Sequence, residues 1–459
     1  MRNIRLKPGF FRPDLSNFSS IQTLLGDFIN DRNSPSLLNE FYIQKVKSLS
    51  RNSWGNGTPF EKVVASNKDL EDLLTKPNLV KNSICIIEPA EHVGTNLAGE
   101  KVRASSNIAC LCQYISDCDS ILIPLWKTGK LDSSLLRDLL ENCLAVLIEG
   151  GHPSVKDPES FSNLNISLND LLSFTEDLIL SRGLKTAPSI FICLGHQLAA
   201  QAHINLIKKI TNEILNDLNP NIVSSIHYEN LKEKCRKIVS VGENLTVYKE
   251  IHDFENTNKF CVAKGWNDPS FAVALNEIPE VGKVELIHYE HSGLHPSKAF
   301  AELLLHHEVT SENDIGIVEQ SISFEKNLNI VMFHSDEVNE EAILFANWAY
   351  GEIHKALIPI RKNIAVSPHS WFLKLPSSIE IVCSTMSEGT LCTQVSATCI
   401  NYKDYETQHI RRSFTFQFHP ELLDDLREFK KSGLPSYDKL KNDDGVRMLI
   451  RVIYESITE

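Results

Sequence analysis

Through the middle of the chain, short uninterrupted apolar runs alternate with amphipathic stretches. Ser83–Ile87, Ser120–Pro124, Cys143–Ile148 and Pro188–Ile192 are brief and almost wholly apolar, the pattern of strands covered on both faces. Between them lie helical repeats. Leu135, Leu136, Leu139 and Leu140 share one face of 133–142. A second helix is expected from about 167 to 182, closed by Gly183 at a C-cap position. A third begins directly after the strand at 188–192 and runs to about 210. Buried strands alternating with helices of roughly 10–15 residues predict a doubly wound, mostly parallel α/β sheet with helices on both faces.

The flanking regions read differently. Residues 1–80 are polar and turn-rich, with short amphipathic patches at 37–46 and 70–74; they read as an accessory N-terminal extension. Residues 213–329 are irregular and read as an inserted subdomain, with a strand at 284–289 and a helix at 297–307 as its clearest elements. The core rhythm returns at 329–333. Residues 379–383 and 391–400 read as an antiparallel pair around Glu388-Gly389, and Phe414–Glu421 alternates as a strand before an acidic helix. The expected organisation is therefore an α/β domain built from 81–212 and 330–440, followed by a C-terminal helix at 441–459.

Composition narrows the function. Of 459 residues, 42% are hydrophobic and 23% charged, which excludes global disorder. A net charge of −13 argues against a protein that grips nucleic acid or an anionic membrane through its net field. No apolar run is long enough to span a bilayer and the N-terminus lacks a signal-peptide core. Eleven cysteines without a CxxC pair suit a reducing compartment. The expectation is a soluble, cytoplasmic protein. His288, His291, His295, His306 and His307, with Glu290 and Glu308 nearby, read as a solvated polar loop, so neither a metal nor a cofactor is predicted.

Three places carry candidate chemistry. Cys193 ends an apolar strand, with Gly195 and a helix immediately after it. Such an elbow lifts a side chain above the carboxyl edge of the sheet, where a helix N-terminus favours an anion and its backbone N–H groups face an oxyanion. In Phe418-His-Pro-Glu421, residues two apart in extended chain point the same way, so Glu421 can orient His419, and His419 can take a thiol proton. Glu149-Gly-Gly-His-Pro153 ends another strand, where Gly150 and Gly151 can bring N–H groups to the same pocket. Each feature alone also fits a bland reading: a buried core cysteine, a turn opening a helix, an ordinary glycine turn.

Taken in order, GG at a strand end, then ICLGHQ, then QFHPE resembles the class I (triad) glutamine amidotransferases, over roughly 83–212 and 330–430. The resemblance implies their flavodoxin-like α/β fold and a Cys193–His419–Glu421 triad. It also implies oxyanion donors at Gly151 and Leu194 and contact between Gln197 and bound glutamine. Ammonia would then pass to an acceptor on a synthetase partner or another acceptor-binding protein. This sequence departs from the family wording where His152 stands between Gly151 and Pro153, and in extra segments at 212–330 and 339–375. Two stretches, 333–338 and 368–376, compete for the family's histidine-bearing strand end. No phosphate-cradling GxxxxGK[ST] motif marks an ATP-using domain. A γ-glutamyl amide or peptide hydrolase of the same fold, and a non-catalytic interaction protein that keeps it, are the alternatives.

Overall fold

The structure is a computed structural model that describes residues 60–95, 101–115, 118–181, 189–218, 225–244, 273–275, 283–286, 327–329, 336–338, 340–386, 393–404, 410–419, 449 and 452–453. In chain order, β1 (Lys62–Val63), α1 (Asn67–Leu74) and α2 (Pro77–Lys81) precede β2 (Ser83–Glu88). The small hairpin β3 (Val93–Thr95) and β4 (Lys101–Arg103) leads into α3 (Ala104–Ile115), β5 (Asp119–Pro124), α4 (Leu125–Thr128) and α5 (Ser133–Asn142). Next come β6 (Ala145–Ile148), α6 (Leu168–Ser181), β7 (Ser189–Ile192), α7 (Leu194–Asn216) and α8 (Ser225–Asn244). Short strands β8 (Val273–Leu275), β9 (Lys283–Leu286), β10 (Asn327–Asn329) and β11 (Asp336–Val338) precede α9 (Glu340–Leu357) and α10 (Arg361–Ala365). Long strands β12 (Ser378–Met386), β13 (Thr393–Lys403) and β14 (Ile410–Phe416) complete the set.

The chain is α/β. Ten strands form one mixed sheet in the order β1-β5-β2-β6-β7-β14-β13-β12-β9-β10. The first six run parallel, and the last four add on antiparallel. The central parallel strands are largely apolar because helices cover the sheet: β2, β6 and β7 are buried at every position. Each expected strand from 83 to 192 and the helices at 133–142 and 168–181 fall where the hydrophobic pattern places them.

Two regions differ from that pattern. The described part of the N-terminal stretch joins the main body: β1 pairs parallel with β5, and Val64, Leu70, Leu73 and Val80 lie in the core. Within 213–329, β9 and β10 extend the main sheet, and α8 buries Leu231, Cys235 and Ile238 in the same core. Residues 330–333 of the strand expected at 329–333 lie outside the described residues; the neighbouring β10, antiparallel to β9, ends at Asn329. The helix expected at 297–307, the acidic helix after 421 and the histidines from 288 to 307 lie outside the described residues.

α7 is the central helix, buried on nearly every side from Leu194 to Ile214 between α6, α8 and α9. It outruns its expected end near 210 because Ile210, Thr211 and Ile214 still have partners to pack against. Burial on all sides is what a helix inside a layered core requires. Polar bonds tie it to its neighbours: His203 Nδ1 lies 3.0 Å from the hydroxyl of Tyr350 on α9, and Asn205 Nδ2 donates to Glu176 on α6 at 3.0 Å. No described helix is long and apolar enough to cross a membrane.

The buried imidazoles make stability pH-dependent. Burial pushes His203 down to about 3 and also lowers His354. The unfolded chain binds these protons near pH 6.5, whereas the folded chain takes up His203's only near the lower value. Stability is thus full above the unfolded value and falls as pH drops below it. For His203 the loss is about 1.4 kcal/mol per pH unit over that window. Urea unfolding of His203→Asn, which keeps an acceptor near the Nδ1 position, should show this slope reduced by about one proton between pH 6 and 4; an unchanged slope would refute the assignment.

Candidate active site

Four segments leave the sheet at one edge. Along it the strand order reverses, for β2 lies between β5 on one side and β6 on the other. Open α/β sheets form their ligand crevice at such a point, outside the carboxyl ends of the strands. The chain beyond β2, β6, β7 and β14 carries His92, Glu149–His152, Cys193 and Gln417–His419 respectively.

Cys193 occupies the corner between β7 and α7 with φ 49° and ψ −105°. Among the described residues it is the one non-glycine with positive φ. A conformation of this kind costs on the order of 1–3 kcal/mol and persists only where its surroundings fix it. They do so here: its N–H donates to Phe416 O at 2.7 Å, its carbonyl accepts from Gln197 N at 3.0 Å, and Gly195 N donates to Glu149 O at 3.2 Å. A Cβ on Gly195 would stand 2.8 Å from Ile148 O, so a bare backbone is needed for α7 to start this close to β6. The result holds the thiol, 4% exposed, at the positive end of a long helix.

His419 arrives by register. β14 runs parallel beside β7 with Phe416 opposite Ile192, so the chain leaves β14 where β7 turns. A Cβ on Gly150 would lie 2.8 Å from His419 Cε1 and 3.1 Å from Cys193 Cβ. The imidazole and the thiol-bearing carbon therefore meet above Gly150, and the two distances together bound their separation. His419 is 2% exposed. Leu194 and Gly151 flank the same corner, the Leu194 side chain 3.2 Å from where a Cβ on Gly151 would be. Neither backbone N–H of this pair donates to an acceptor among the described residues.

Gln197 is buried, and its amide donates to Gln417 Oε1 at 3.4 Å; Gln417 Nε2 in turn lies 3.8 Å from Cys193 Sγ. His196, within the same motif, faces the sheet instead: its Nδ1 lies 2.6 Å from Thr415 Oγ1, itself 2.6 Å from Thr398 Oγ1. It anchors the first turn of α7 and is not part of the pocket. Glu421 lies outside the described residues.

Of the two stretches competing for a histidine-bearing strand end, His334 is outside the described residues. His369 lies 3.5 Å from Glu213, near the far end of α7. At 1.5 Å per residue that is about 30 Å along the helix from Cys193, so His369 takes no part here. Among the described residues no cluster of histidine, cysteine or acidic side chains is arranged to hold a metal ion. The groove lined by Leu131, Leu136, Phe174 and Leu178 shares no residue with the cluster around Cys193.

Sequence reasoning passed over Gln417, His92 and Glu88. Glu88 is buried at the end of β2, accepting from Ser105 Oγ at 2.6 Å and Trp126 Nε1 at 2.9 Å. The signal for all three was positional, since each stands at or just beyond the carboxyl end of a strand of the sheet. No protein-family model matches the chain, and no curated protein matches it.

Two substitutions test this geometry. Gly150→Ala should displace the His419 ring and cost about 1–3 kcal/mol from overpacking, while slowing alkylation of residue 193 by iodoacetamide, read by mass spectrometry. At position 193, glycine should be at least as stable as alanine in urea, the reverse of the usual order, because glycine adopts positive φ without strain. Alanine the more stable of the two would argue against a strained corner.

Proposed function

We propose that this chain hydrolyses a side-chain amide of the glutamine type through a cysteine nucleophile, as the resemblance to class I glutamine amidotransferases implies. The observation that carries the reading is the meeting of His419 and Cys193 above Gly150, with Cys193 on a strained strand–helix corner. His419 takes the thiol proton and the thiolate attacks the amide carbon. The oxyanion forms against the N–H groups of Gly151 and Leu194. His419 then returns the proton to the departing nitrogen, the C–N bond breaks, and ammonia leaves a γ-glutamyl thioester. Water, deprotonated by His419, cleaves that thioester to glutamate and free thiol. In this reading Glu421 orients the imidazole, and ammonia passes to an acceptor bound by a partner protein. The family's flavodoxin-like form of the α/β fold belongs to the same proposal; the reversal of strand order beside β2 supports it.

A second substrate class has its own support. Gln197, which the resemblance assigns to bound glutamine, is engaged with Gln417 in the wall of the site. A γ-glutamyl amide or peptide, recognised mainly through its leaving group, makes less demand on Gln197.

The test is glutamate release from glutamine and from a panel of γ-glutamyl amides, for wild type and Cys193→Ala, with and without cell extract to supply a partner. Cys193→Ala should lose at least about a thousandfold in kcat, since the nucleophile has no substitute. Release that survives in Cys193→Ala, or no release from any substrate under either condition, would sink the proposal.

A further inference from the structure

The loop after β2 runs beside Gly151 and His419. Its start is fixed by Glu88, which accepts from Ser105 and Trp126. Its middle presses on the neighbouring loop, with the Ala90 methyl carbon 2.6 Å from where a Cβ on Gly151 would stand. Its end is tied to α3, as Ala104 N donates to His92 O at 3.3 Å. A loop held at three points presents its last side chain, His92, in one place.

That place is the face of the candidate base. The His92 ring centroid lies 5.2 Å from that of His419, edge to face at 64°, and 6.0 Å from that of His152. His92 is 6% exposed, and its Nδ1 is buried with no hydrogen-bond partner among the described residues. Burial, then the proximity of His419 and His152, hold the imidazole well below its ordinary range, so it is neutral at physiological pH. A neutral imidazole carries one donor and one acceptor. Leaving one of them buried and unused is costly and rare in folded proteins.

We propose that His92 is a substrate-contacting residue, whose buried Nδ1 hydrogen-bonds a polar group of the amide substrate bound beside His419 and Cys193. The inference rests on the amide-hydrolase reading above. It extends that reading by giving the loop after β2, and not only the three motif segments, a part in choosing the substrate. The departure at His152 adjoins the same residue, its ring centroid 6.0 Å from that of His92.

The experiment compares wild type with His92→Phe, which keeps the ring and loses the nitrogens, and with His92→Asn, whose amide reaches the Nδ1 position. Steady-state kinetics on the best substrate of the panel should show KM raised about tenfold in His92→Phe, the worth of one neutral hydrogen bond, with kcat within about threefold of wild type. His92→Asn should recover most of that loss. Binding of the same substrate to Cys193→Ala and to Cys193→Ala/His92→Phe, measured by calorimetry, should weaken by the same factor. Thermal unfolding verifies that each variant is folded, and should His92→Phe fail to fold, His92→Asn against His92→Ala carries the comparison. Turnover by wild type with an unchanged KM in His92→Phe overturns this proposal alone. A fall in kcat with KM unchanged also overturns it, assigning His92 to packing of His419. Neither turnover by wild type nor binding to Cys193→Ala overturns it together with the amide-hydrolase reading.

Discussion

The site depends on a backbone corner that no ordinary residue would choose. Cys193 sits at positive φ because three hydrogen bonds and one close approach leave it nowhere else to go. Its N–H is committed to Phe416 O on one neighbouring strand, while Gly195 N reaches Glu149 O beyond the other. The corner is therefore clamped between β6 and β14, the two strands that flank β7. The same clamp that imposes the strain delivers Gly150 from one side and His419 from the other. Strain and assembly are one arrangement here: loosening the corner separates the groups.

Around that corner the polar residues divide by direction. His196, Thr415 and Thr398 form a chain beneath α7 that fastens its first turn to the sheet. Gln197 and Gln417 form a second chain that ends near the Cys193 sulfur. Two adjacent residues of one short motif thus serve opposite ends, one holding the helix down and the other lining the thiol. Glu88 holds a wall by the same logic, through Ser105 and Trp126. Buried side-chain hydrogen bonds, not helix propensity, fix where the loops stand, and such bonds specify one arrangement because breaking any of them leaves a buried polar group exposed to no water.

What could be read from the chain follows from burial. β2, β5, β6 and β7 were legible because strands covered on both faces leave no room for polar residues. α5 and α6 were legible because each has one buried face, marked by Leu136, Leu139 and Leu140 and by Leu171, Leu178 and Ile179. Edge elements were not. β1 is two residues, Lys62 and Val63, and β10 reads Asn-Leu-Asn; neither carries an alternation, and only their partners make them strands. Within the site, Cys193, Gly150, Gly151 and Leu194 stand where their motifs suggested, and His419 reaches them through strand register. His92 carried no motif, and Gln417 stood in QFHPE without a role; their places depend on which strands neighbour which, a matter of topology that periodicity does not encode. The positive φ of Cys193 is equally silent in the letters, since a cysteine ordinarily avoids it.

The strand order has a temporal consequence. Cys193 and Gly150 lie on neighbouring strands close together in the chain, but the ring that meets them hangs from β14, more than two hundred positions downstream. Domains form from the N-terminus as the chain emerges from the ribosome, so the first half of the sheet can form while the Cys193 corner still lacks both its Phe416 clamp and the imidazole beside it. Until β14 docks, the nascent polypeptide lacks the strand that carries His419 and accepts from the Cys193 N–H. A product cut short before that strand would keep the sulfur without its neighbouring ring.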